Sequence, residues 1–182
     1  LTLNRGDKGA LTATLEWDNP SKTFGRGGTL EELSTVIIYR NGVEVHRIEN
    51  PAIGGHETWT DNLPERGYYT YKFVPVNGMG NGDRCSISAY IGVGDPMGVT
   101  NANAAANGSD ANVTWSAPTE GKFNSYINTT DLTYDVWRMP GNVKVADKIQ
   151  TTSLTDNDLP EMGKYHYNVI AYSGGYQSDS VS

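Results

Sequence analysis

The residues that most often do chemistry are few here and badly placed for it. The histidines, His46, His56 and His166, stand alone, with no ligand spacing between them. The single cysteine, Cys85, lies in the alternating stretch Arg84-Cys-Ser-Ile-Ser-Ala-Tyr90, where a thiol is expected to behave as a small hydrophobe and cannot form an internal disulfide. Neither a G-x-S-x-G elbow nor a Gly-rich phosphate loop occurs. Glu31 and Glu32 are adjacent in a polar stretch and read as solvated carboxylates, and the acidic run Thr155–Asp158 lacks the spaced oxygens of a calcium loop. These residues predict no catalytic group, no metal site and no cofactor. The tripeptide Arg5-Gly6-Asp7 offers a guanidinium fork and a carboxylate side by side, in a run that also has the composition of a polar hairpin turn.

Bulk charge narrows the partners. The chain has 182 residues, 14 basic and 21 acidic, for a net charge of −7, and both halves are acidic. Phosphate binding needs a concentrated cationic surface, so a nucleic-acid partner is not expected. No apolar run approaches the roughly 18 residues of a membrane span. The chain opens without Met on the strand-like Leu1-Thr-Leu, and the expectation is a piece cut from a longer polypeptide whose first strand is truncated.

The elements that hold these residues are strands. Short runs rich in Val, Ile, Thr and Tyr alternate with clusters of Gly, Pro, Asn and Asp, as in a sandwich or barrel of many short strands. Ala13–Trp17 and Ala111–Trp115 alternate with period two. The second half also overlays the first. Trp17 and Pro20 fall on Trp115 and Pro118, and Tyr39-Arg40 falls on Trp137-Arg138, all 98 residues on. Trp59-Thr-Asp61 matches Leu154-Thr-Asp156, and LPERGYYTY from Leu63 matches LPEMGKYHY from Leu159, 96 residues on. Only the middle of the unit changes length, where turns tolerate it.

The Leu63/Tyr69 and Leu159/Tyr165 pairs resemble the tyrosine corner of fibronectin type III domains, and the early Trp and the Val36/Ile38 and Tyr134/Val136 strand are similar to that family's core. The resemblance implies an all-β chain of two tandem fibronectin type III-like sandwiches, residues 1–95 and 96–182. A corner phenol would bring its ring into the core and bond its hydroxyl back to the backbone. Tyr69, Tyr71 and Phe73 would then face inward in copy one, and Tyr165, Tyr167 and Val169 in copy two. Gly92–Gly98, stiffened by Pro96, reads as a semi-rigid joint.

The order W-x-x-P…YR-x-G followed by an LP corner is similar to pairs in secreted bacterial surface proteins. That implies a monomeric, non-catalytic extracellular spacer or interaction module, with cell adhesion as one role. The alternatives are a carbohydrate- or protein-binding module and an accessory part of a secreted hydrolase. Asp179-Ser180-Val181 resembles an O-glycosylation acceptor of exported bacterial proteins, and in such a context Arg5-Gly6-Asp7 invites an integrin-binding reading.

Parity supplies the candidate face. If Val36, Ile38, Tyr134 and Val136 point inward, then Ile37, Tyr39 and Trp137 point outward, as do His166, Asn168, Ile170 and Tyr172 on the neighbouring strand. Trp137, Ile170 and Tyr172 form an apolar strip suited to a protein or glycan, with Tyr39 and Val74 its counterpart. The long spans Asp18–Ser34 and Ser116–Leu132 are expected to fold over this face, with Phe24, Phe123 and Tyr126 as cover.

Overall fold

The computed structural model describes residues 1–23, 27–157 and 159–182. Phe24 and Asp158 therefore lie outside the described residues. The chain divides into two compact units, Leu1–Gly92 and Val93–Ser182.

In the first unit the strands are β1 (Thr2–Arg5), β2 (Thr12–Asp18), β3 (Thr35–Arg40), β4 (Val43–Glu49), β5 (His56–Asn62), β6 (Gly67–Asn77), the short β7 (Gly80–Asn81) and β8 (Cys85–Ile91). One sheet runs β1-β2-β5; the other runs β4-β3-β6, with β7 and β8 paired to successive parts of β6. All named pairings are antiparallel. The opening strand is formed: Thr2–Arg5 pairs with Ala13–Glu16, over four residues against eight for its counterpart in the second unit.

The second unit repeats the plan with β9 (Thr100–Asn107), β10 (Asp110–Ser116), β11 (Thr133–Met139), β12 (Val143–Ile149), β13 (Ser153–Asp156), β14 (His166–Ser173) and β15 (Tyr176–Gln177). Its sheets run β13-β10-β9 and β12-β11-β14-β15. The segment from Val93 to Met97 is bonded into this unit: Gly94 N donates to Tyr126 O (2.8 Å), Lys122 N to Asp95 O (2.8 Å) and Met97 N to Glu120 O (3.1 Å).

Alternation along the strands builds one core per unit. In the first, Leu15, Trp17, Val36, Ile38, Tyr71 and Phe73 interlock between the sheets. In the second, Val113, Trp115, Tyr134, Val136, Tyr167 and Val169 do the same. The two corner phenols bond back to the main chain, Tyr69 Oη to Glu65 O at 2.8 Å and Tyr165 Oη to Glu161 O at 2.9 Å. Tyr69 is buried, whereas Tyr165 is only half-buried.

The long spans depart from expectation. Their apolar residues turn inward: Leu30 and Leu33 join the first core, Ile127 and Leu132 the second. An apolar residue set in a polar span lowers its free energy most by sealing the open end of a sandwich. Phe123, in a 3-10 turn over Lys122–Asn124, is 68% exposed, and Tyr126 is 37% exposed. Cys85 also differs, since it begins β8 on the exposed surface.

Candidate functional site

Trp137, Ile170 and Tyr172 lie on neighbouring strands of the β12-β11-β14-β15 sheet. Register places Trp137 beside Asn168, Asp135 beside Ile170, and Thr133 beside Tyr172. Trp137, Ile170 and Tyr172 are each half-buried. With Asp135, Met139, Asn142, Asn168 and Ser180 they line a shallow hollow of about 270 Å³. Ser180 belongs to the Asp179-Ser180-Val181 motif, so that motif borders the hollow. His166 is exposed at the start of β14, in register with Met139.

Asp135 organises this face. It is 4% exposed although its strand position points outward. A bulge in β12, between the pairs Tyr134–Ile149 and Val136–Ala146, turns the backbone toward it. Lys148, at φ 48°, donates its amide to Asp135 Oδ1 at 3.0 Å. Lys144 Nζ donates to Oδ2 at 3.0 Å and Tyr172 Oη to the same oxygen at 3.2 Å. Lys148 Nζ stands 3.8 Å from Oδ2.

Burial alone would push the Asp135 carboxyl up. The Lys148 amide, the Lys144 ammonium, the Lys148 charge and the Tyr172 hydroxyl outweigh it and hold the group below the usual carboxylate range. Burial and then Asp135 raise the Tyr172 phenol. Lys144 is raised by its bonds to Asp147 and Asp135, whereas burial lowers Lys148. Both ammonium groups also meet aromatic faces, Lys144 Nζ 5.1 Å from the Trp137 ring centre and Lys148 Nζ over the Tyr172 ring. The result is a fixed aromatic and aliphatic surface with anchored charges.

Copy one does not present the same surface. The residue equivalent to Asp135 is Ile37, which is buried, as is its neighbour Val74. Both face the outer side by register, so their burial departs from an open strip. Their neighbours include long side chains, Arg47 beside Ile37 and Lys72 beside Tyr39, whose stems can shade them. Tyr39 is half-buried. Arg47 is itself clamped by Glu44 at 2.7 and 2.9 Å.

Arg5-Gly6-Asp7 forms the β1–β2 connection. Arg5 ends β1, Gly6 N donates to Thr12 O (2.9 Å), and Asp7 starts a 3-10 turn closed by Ala10 N bonding to Asp7 O (3.0 Å). Arg5 and Asp7 are exposed. A side chain on Gly6 would collide with Thr12 and Ala10, so this tight turn requires glycine.

One repeated constellation escaped the sequence reading. Arg40 donates to Asp61 Oδ2 (2.7 Å), and Tyr71 Oη donates to the same oxygen (2.8 Å). In copy two Arg138 reaches both Asp156 oxygens (3.0 and 2.9 Å) and Tyr167 Oη donates to Oδ2 (2.9 Å). Each Arg also lies near its corner phenol, 5.9 Å from the Tyr69 ring centre and 5.8 Å from that of Tyr165. These carboxylates pin the two sheets together and are committed to structure. His46 stacks on Trp59 at 4.6 Å, linking β4 to β5 across the sandwich. Among the described residues no His, Cys, Asp and Glu cluster is able to hold a metal ion. No helix among them is long and apolar enough to cross a membrane.

Two three-stranded sheets, each packed on a larger antiparallel sheet, with a phenol bonded back at the corner, decide the fold. Both units are fibronectin type III-like sandwiches. No family model matches the chain, and no curated protein sequence matches it. Among solved structures it is similar to a two-domain fibronectin type III segment of chicken tenascin, at 19% identity and TM-score 0.37, over 99% of this chain and 94% of that one. It is also similar to the FN1–FN3 domains of chicken CNTN1, at 16% identity and TM-score 0.40, over 100% of this chain and 63% of that one. A central fibronectin-III array of RIM-binding protein matches at 14% identity and TM-score 0.39, over 100% of this chain and 61% of that one.

Proposed function

We propose that this chain is a monomeric, non-catalytic spacer and interaction module of an exported, multidomain bacterial surface protein, and that copy two carries its contact surface. One observation supports the reading above the others. Trp137, Ile170 and Tyr172 share one sheet face around the anchored Asp135, while Ile127 and Leu132 of the span expected to cover them pack into the core. An indole and a phenol held by neighbouring side chains lose little freedom when a partner docks, which favours binding over mobile surface groups. The chemistry that fits is a flat apolar patch edged with hydrogen-bonding groups, as on a sugar ring or a protein surface.

The test is a glycan and matrix-protein array probed with the wild-type chain and with Trp137→Ala and Tyr172→Ala. Truncating an aromatic anchor at the centre of such a surface typically costs 2 kcal/mol or more, about thirtyfold in affinity. Both variants are expected to lose the ligand that the wild type captures, while Tyr39→Ala retains it. Capture unchanged in both copy-two variants contradicts the proposal.

A further inference from the structure

Asparagine followed by glycine is the pair in which a main-chain nitrogen most readily attacks a side-chain amide, because glycine sets no side chain against the approach. The chain has four such pairs, beginning at Asn41, Asn77, Asn81 and Asn107. Three of them are held. Thr70 N donates to Asn41 Oδ1 at 2.9 Å and Asn41 N donates to Thr70 O at 2.9 Å, so this asparagine is tied to β6. Asn77 Oδ1 accepts the Met79 amide at 2.9 Å. At Asn81 the attacking nitrogen is engaged instead, since Gly82 N donates to Pro75 O at 2.8 Å.

Asn107 is held by neither device. It ends β9, and Gly108-Ser109 turn the chain into β10 with Gly108 at φ 65°. Among the described residues neither the Asn107 carboxamide nor Gly108 N has a hydrogen-bond partner. Asn107 is exposed, and nothing stands within 4 Å of where a side chain on Gly108 would lie. Asn107 pairs with Asp110, which alternates with the buried Ala111 along β10. The pair therefore lies on the outer face of the sheet.

We propose that Asn107 is a self-modifying site, at which the chain converts its own amide to an acid and thereby loosens β9. Gly108 N gives up its proton to solvent base and bonds to Asn107 Cγ. The Cγ–Nδ2 bond breaks, and ammonia leaves with a proton taken from water. A second water then opens the cyclic imide. Attack at Cγ yields aspartate; attack at the main-chain carbonyl yields isoaspartate. Either acid stands directly opposite Asp110, and like charges opposed across a strand pair destabilise it. Isoaspartate also adds a carbon to the main chain, which interrupts the ladder as a bulge does. Among the described residues β9 pairs only with β10, just as β1 pairs only with β2 in copy one, so this pairing carries the strand.

The test ages the whole chain in mildly alkaline buffer and maps each Asn-Gly pair by electron-transfer fragmentation, which tells aspartate from isoaspartate. The hydrogen bond at each of the other three must break before the ring closes, and one such bond is worth about tenfold in rate. Acid at Asn107 is therefore expected about tenfold ahead of Asn41, Asn77 and Asn81. In urea, where the turns are lost, the four rates should converge. Asn107→Gln, whose longer side chain closes a ring far more slowly, should stay amidated. Native hydrogen exchange over 103–107 should be faster in Asn107→Asp than in Asn107→Gln. Another pair converting as fast as Asn107 in the folded chain, a lead for Asn107 that persists undiminished in urea, or equal exchange in the two variants overturns the proposal.

Discussion

Removing Asp156 tests the repeated Arg–Asp–Tyr constellation most severely. Asp156 is 7% exposed and takes three hydrogen bonds, two from Arg138 and one from Tyr167. In Asp156→Ala the Arg138 guanidinium, whose side chain is 12% exposed, loses its counter-ion, and a buried phenol loses its acceptor. Breaking a buried pair from one side costs about 3–5 kcal/mol, and an orphaned hydroxyl about 1–3 kcal/mol. The two overlap because they share one oxygen, so about 4 kcal/mol is expected, a large share of the 5–15 kcal/mol typical of a folded domain. Asp61→Ala should cost less, about 2–3 kcal/mol, because Arg40 is 24% exposed and water reaches it. The assay is urea unfolding followed by hydrogen exchange, which reads β11 and β14 separately from β3 and β6. Tyr167→Phe, which leaves the ion pair intact, should cost about 1 kcal/mol. A loss below 1 kcal/mol for Asp156→Ala, or a larger loss for Asp61→Ala, would refute the reasoning.

The same assay checks three further expectations. Burial, then the Asp156 bond, pushes the Tyr167 phenol up to about 12, so the folded state holds a proton the unfolded chain has released. Stability should be full below about pH 10 and fall as pH rises toward 12, and Tyr167→Phe should weaken that fall in the second unit. Burial lowers His46 and Glu57 only partly offsets it, so its contribution is present above about pH 6.5 and is lost as pH falls through the depressed folded value; His46→Phe should flatten acid unfolding of the first unit. Leu132→Ala, which unplugs the sealed end of the second core, should cost about 2–4 kcal/mol and leave the first unit unchanged.

Much of the interior could be read from period-two alternation. Trp17, Trp115, Tyr71 and Tyr167 face inward because a sandwich buries every second residue of a strand, and the repeat fixes which strands correspond. The corner bonds of Tyr69 and Tyr165 followed from the need of a phenol for a partner. The length of the long spans suggested a lid and gave no sign that Leu30, Leu33, Ile127 and Leu132 within them pack into the cores. Asp135 went unnoticed because parity placed it outside as an ordinary solvated acid. Its burial depends on the β12 bulge and on Lys144, Lys148 and Tyr172, which no local pattern announces. The Arg–Asp–Tyr constellation did leave a signal: Arg40, Asp61 and Tyr71 all recur as Arg138, Asp156 and Tyr167 within matched segments. Three polar residues preserved at the same places in both copies were the clue that they meet. The copies are not interchangeable in detail. Trp17 Nε1 donates to Asn19 at 3.0 Å, but Ala117 stands at the matching place in copy two and Trp115 Nε1 has no protein partner among the described residues.

Hydroxyl-radical footprinting of the four tryptophans asks directly whether the copy-two strip faces solvent. Oxidation of Trp137 well above that of Trp17 and Trp115, with Tyr172 modified alongside it, is the predicted result. Trp137 as protected as Trp115 would mean that the face is covered, and would contradict the account.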